Sequence, residues 1–181
     1  GRYNSLWKLS NYGGSLMSIL KVDTINEKTS DNGVHIAGHI IQMQSASFNG
    51  NANSTSGSSF TDTDVTINIT PKFATSKMLV IVHQCAGLTA GSSHTRCDFR
   101  CIESNSSTEI YRMDYHGQDG VQPTTQINCS GHGFFQCSNT NQLTFKTQVQ
   151  KANASSGETT NIYQNWYAGS VNNITVLEIA Q

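Results

Sequence analysis

The chain is short of charge. Only 13% of its 181 residues are Asp, Glu, Lys or Arg, where a quarter or so is usual. Its 11 basic residues are scattered and offset by 12 acidic ones, leaving a net charge of −1. That excludes the basic face on which a nucleic-acid binder depends. Long apolar runs are also missing. The longest strongly apolar stretch, Met78–Val82, falls far short of the roughly 20 residues that span a bilayer, so no membrane insertion is expected. No basic flank followed by an apolar block opens the chain, so no signal peptide is read. No Cys-x-x-Cys pair occurs among the five cysteines, which removes zinc-ribbon and thioredoxin-type chemistry. None of the six histidines sits in an HExxH pattern. No stretch sustains a helical period.

Ser, Thr, Asn, Gln and Gly take the place of charge. β-branched and aromatic residues recur between them, so the composition is not that of a disordered chain. It is common in extracellular and virion-surface proteins. Period-two alternation is clear in several places. Val65, Ile67 and Ile69 alternate with Thr66, Asn68 and Thr70, and Pro71 ends the run. Cys97, Phe99 and Cys101 oppose Arg96, Asp98 and Arg100. Leu143, Phe145, Thr147 and Val149 oppose Thr144, Lys146 and Gln148. Lys77–Ala86 is nearly continuously apolar and reads as a central strand covered on both faces. Small polar loops separate these runs, as at 49–59, 87–93 and 152–159. The pattern predicts roughly eight or nine strands at about ten-residue spacing, an all-β antiparallel sandwich. The count favours a jelly-roll-like sandwich over an immunoglobulin-like one.

Three regions are expected. Residues 42–181 form the sandwich. Residues 17–41 form an extended adaptor, a β-hairpin or shaft, with apolar teeth at Val22, Ile25, Val34, Ile36 and Ile40. Asp31-Asn32-Gly33 supplies a tight reversal in it. So short a segment cannot bury enough surface to hold its shape alone. It must pack against copies of itself or against a larger body, and a homotrimer is expected. Residues 1–16 hold Tyr3, Trp7 and Tyr12 ahead of a Gly13-Gly14 joint and are expected to anchor the chain to a neighbour. Met17 reads as a translation start, which makes residues 1–16 an extension.

The adaptor carries a family resemblance. VDTINEKTSDNGVHI, Val22–Ile36, resembles the shaft-type segment of tail-fibre and other virion structural proteins of tailed phages, marine ones especially. In those proteins a similar run precedes a β-rich tip. Ile174–Ala180 resembles the closing strand of such tips. Ile69-Thr70-Pro71 with Ser76–Val80 resembles an internal strand pair. The likeness runs from Met17 to the C-terminus; residues 1–16 fall outside it. It implies a non-enzymatic virion protein, a trimeric fibre or receptor-binding tip that serves in host attachment. It implies a protein made in the host cytoplasm and held to other virion proteins through its N-terminal segment. A capsid-attached fibre or decoration protein is the alternative placement. No cofactor is implied.

A carbohydrate-binding module is the alternative of another class. The densest aromatic and amide cluster, with Tyr163, Asn165, Trp166 and Tyr167, would be its ligand face and would recognise a host surface glycan. A core strand or a subunit contact explains the same cluster. His35 and His39 would meet their copies on a threefold axis and there form a weak metal site; packed or solvated imidazoles are the simpler account. Asp62 and Asp64 read as solvated carboxylates and not as an acid–base pair. His132 lies between Gly131 and Gly133, whose small size allows close backbone approach; a tight bend is expected there, with a ligand contact as the alternative. Cys97 and Cys101 lie on one strand face about 13 Å apart, too far to bridge. Cys129 and Cys137 are within reach of a hairpin pairing, but nothing requires one. Five reduced, mostly buried thiols are expected.

Overall fold

The computed structural model describes residues 36–48, 59–89, 96–116, 124–151, 161–164 and 171–181. Among them the regular elements are all strands: β1 (Ile40–Phe48), β2 (Thr61–Ile69), β3 (Lys77–His83), β4 (Cys85–Thr89), β5 (Arg96–Glu103), β6 (Thr108–His116), β7 (Thr124–Asn128), β8 (Gly131–Gln136), β9 (Leu143–Lys151), β10 (Asn161–Gln164) and β11 (Asn172–Ile179). All pairings are antiparallel.

Three pairs of these segments continue one another. β3 and β4 pair with β8 and β7 in one unbroken register, from Lys77 opposite Gln136 to Thr89 opposite Thr124. The ladder is interrupted only around Gln84. There the Cys129 amide donates to the Gln84 carbonyl at 2.8 Å, and the Gln84 amide donates to Ser130 Oγ at 3.2 Å. β10 and β11 lie in turn along β4 and β3. Eight strands result. In chain order they read first, eighth, third, sixth in one sheet (β1-β11-β3-β8, prolonged by β10-β4-β7). They read second, seventh, fourth, fifth in the other (β2-β9-β5-β6). That is the jelly-roll order.

The core lies between the sheets. Val65, Ile67 and Ile69 of β2, with Leu143 and Phe145 of β9, meet Met78, Val80 and Val82 of β3 and Ile174 and Val176 of β11. Phe135 packs edge-on against Phe145, with ring centroids 5.8 Å apart. A second cluster fills the other end with Ala86, Cys97, Phe99, Ile127, Cys129 and Val149. The alternating runs in the sequence thus face inward as expected. All five cysteines are free, with Cys85 half-buried and the other four buried. Burial pushes the Cys101 thiol up to about 12 and the Cys137 thiol, beside Glu178, to about 11.

Two buried carboxylates pin the connections. Glu178 accepts from the Lys72 amide at 2.9 and 3.0 Å, from the Phe73 amide at 3.1 Å and from Gln42 Nε2 at 2.5 Å. It thereby ties the β2–β3 loop to both β11 and β1. Glu103 accepts from the Asn105 and Ser106 amides, Ser106 Oγ and the Thr144 amide, which shapes the β5–β6 turn around Ser107 (φ 56°). Burial pushes the Glu103 carboxyl up, but these donors outweigh it and hold it below its usual range.

Candidate interaction surface

Alternation gives each sheet an outward face, and the two faces differ in chemistry. On β2-β9-β5-β6 the face is a polar network. Lys146 Nζ and Gln148 Nε2 donate to the two oxygens of Asp62, at 2.7 and 2.6 Å. Arg100 Nε donates to Gln148 Oε1 at 2.8 Å. Both Arg100 and Arg112 lie over the Phe60 ring, at 3.7 and 5.0 Å, and both reach Glu109 at 3.5 Å. Asp62, 52% exposed, remains a solvated carboxylate and is in addition ion-paired with Lys146. Partial burial raises its carboxyl, but the Gln148 and Lys146 hydrogen bonds and the Lys146 charge bring it below the ordinary value.

The outward face of β1-β11-β3-β8 carries an apolar row beside polar side chains. The registers place Met43 opposite Leu177, Leu177 opposite Leu79, and Leu79 opposite Phe134. One row of four apolar side chains thus crosses the whole sheet. Ile40, opposite Ile179, and Ile81 flank it. Among the described residues, the exposed large hydrophobics are Ile36, Ile40, Met43, Ile81, Phe134 and Val171. All six belong to this sheet or to the segments leading into it. Met43, Ile40 and Phe134 are 60%, 58% and 53% exposed. Scattered exposed apolar residues need no explanation; a contiguous patch marks an interaction site. Lys77, whose Nζ sits 4.9 Å over the Phe134 ring, is the face's one Lys, Arg, Asp or Glu among the described residues; Glu178, on the same sheet, points inward. Several adjoining polar side chains are bonded to one another. Ser45 Oγ bonds Thr175 Oγ1 at 2.9 Å, and Asn173 Nδ2 donates to Ser45 and Ser47.

Several expectations change here. Lys77–His83 is central in its sheet, but only Met78, Val80 and Val82 are buried; Ile81 on its other face is 42% exposed. A sandwich covers one face of each sheet, so the near-continuous apolar run signals an uncovered face. Gly131 and Gly133 mark a close approach and not a bend. A Cβ on Gly131 would stand 2.6 Å from the Tyr111 ring, and one on Gly133 would stand 2.3 Å from the Ile110 carbonyl oxygen. His132 between them points outward and is exposed.

Of the adaptor positions, Ile36 and Ile40 are exposed and Ile40 joins the apolar face. The approach is tied to the C-terminus: Gly38 donates to the Ala180 carbonyl at 2.8 Å, and Ala180 donates to that of His39 at 2.9 Å. His39 is exposed, and no group of three metal-ligating side chains forms among the described residues. Val22, Ile25, Val34 and His35 lie outside the described residues, as do Tyr3, Trp7 and Tyr12. Tyr163 falls on β10, its backbone opposite Gly87; Asn165, Trp166 and Tyr167 lie outside the described residues.

No protein-family model and no curated protein matches this chain. Among solved structures it is similar to that of the infectious bursal disease virus Gx strain, at 9% identity and a TM-score of 0.33 over 77% of this chain and 37% of that one. It is also similar to a mutant VP2 protein of infectious bursal disease virus from derived T=1 particles, at 10% identity and a TM-score of 0.31 over 88% of this chain and 44% of that one. The chain spans less than half the length of either. Both scores are low, and the fold assignment rests on the strand order itself.

Proposed function

We propose that this chain is a non-enzymatic structural protein of a virus particle. It assembles with copies of itself into a trimeric short fibre or receptor-binding tip, held to the particle through its N-terminal segment. The observation that carries this reading is the apolar row Met43–Leu177–Leu79–Phe134 on a face with one charged side chain. A jelly roll suits both capsid and lectin domains. A row apolar from edge to edge suits burial against protein; a sugar presents mostly hydroxyls and would leave most of that row in water. The adaptor's resemblance to phage fibre shafts supports the particle context.

Antibodies raised against residues 40–181 test the reading by immunogold labelling of the virus particles that carry this sequence. Label on projections from the particle is the expected result. Particles free of the protein would refute the assignment.

A further inference from the structure

We propose that three copies of this chain close around an axis running along the strands, with the β1-β11-β3-β8 sheets as the three walls and their apolar faces turned inward. The inference rests on the self-assembling reading above and names the surface that does the assembling.

The argument begins at the sheet edges. Open edge strands template pairing with other chains, and proteins guard them with charge, bulges or cover. The β2-β9-β5-β6 sheet is guarded. Its edge strand β2 carries Asp62 and Asp64, and β6 carries Glu109, Arg112 and Asp114. The edges of the other sheet are β1, IIQMQSASF, and β8, GHGFFQ. Neither holds Asp, Glu, Lys, Arg or Pro. Among the described residues no strand pairs with the outer edge of either.

Direction fits as well. Three antiparallel pairings separate β1 from β8, so the two edges run oppositely. Rotation about an axis parallel to the strands lays β8 of one copy antiparallel to β1 of the next. This head-to-tail contact is of the kind that closes into rings.

Size then selects the number of copies. Four strands at about 4.8 Å spacing make a wall roughly 19 Å wide. A triangle of three such walls leaves about 5.5 Å from each wall to the axis. Side chains of stacked sheets fill about half of a ~10 Å separation, or roughly 5 Å. Three faces therefore fill their own interior. Two copies stacked face to face would also fill the gap, but would leave both uncharged edges open. Lys77 begins its strand and stays at the open end of the closed assembly.

The test is the mass of the full chain by light scattering, for the wild type and four variants, with folding of each checked by circular dichroism. Wild type is expected at about three times 19.7 kDa. Phe134→Asp, an exposed position in the single chain, is expected to give a folded monomer; Met43→Asp carries the same test at the other edge should Phe134→Asp fail to fold. Thr66→Asp, on the opposite sheet's outward face, is expected to remain three copies. A wild-type monomer or two-copy species overturns the proposal. So does a Phe134→Asp protein that keeps three copies. If Val34→Asp in the adaptor abolishes assembly while Phe134→Asp and Met43→Asp do not, this face is not the contact, and self-assembly of the chain stands without it.

Discussion

Gly133→Ala is the sharpest test of how closely the two sheets approach at β8. An added Cβ would lie 2.3 Å from the Ile110 carbonyl oxygen and 2.8 Å from Ile110 Cγ2, where ordinary contact begins at 3.4 Å. β6 and β8 must therefore separate by about 1 Å. They are not free to do so, because Phe135, two residues on and on the same inward face, is wedged edge-on against Phe145 in a close-packed core. The obstacle is backbone and cannot rotate away. Overpacking of this kind costs about 1–3 kcal/mol, and a carbonyl clash belongs at the upper end. For a chain this size, each kcal/mol lowers Tm by roughly 2–4 °C, so a fall of roughly 6–12 °C is expected by calorimetry. Gly38→Ala is the control. A Cβ there meets nothing within 4 Å, and only the left-handed backbone (φ +83°) resists it, at about 1–2 kcal/mol. A Gly133→Ala protein melting as high as the wild type would mean that β6 does not press on β8 as described.

Two further outcomes are expected. The Glu103 carboxyl titrates below its ordinary value of 4.5 in the folded chain. Its stabilisation is thus complete above about pH 4.5 and is lost as pH falls through the lower folded value. Melting followed from neutral pH to about pH 3 should show the advantage of wild type over Glu103→Gln shrinking with acid; an advantage that grows with acid would contradict the assignment. In native protein at about pH 8, iodoacetamide should react first at half-buried Cys85. Cys101, its thiol pushed up to about 12 and fully buried, should react only after denaturation. Peptide mapping that finds Cys101 alkylated as fast as Cys85 would refute this.

Alternation alone placed β2, β5 and β9, because one face of each is buried in the core and the other carries polar side chains. In β1 the same reasoning is defeated by the irregularity between Ile40 and Gln42. Past it, polar Gln42 points inward to Glu178 and apolar Met43 outward to solvent. The pairing of Asp62 was not legible either, since Lys146 and Gln148 lie more than eighty residues away and reach it only through the β2–β9 register.

The strand inventory and the sandwich class were legible from local pattern, since period-two burial is a property that each segment carries alone. Low charge and an apolar Lys77–Ala86 also declared that some surface would be apolar. Where that surface lies was decided only by the tertiary structure. Met43, Leu79, Phe134 and Leu177 are scattered across the chain, and they become one row because the jelly-roll order sets β1, β11, β3 and β8 side by side in register. The roles of Gly131 and Gly133 were decided in the same way, by which strand of the opposite sheet crosses behind them.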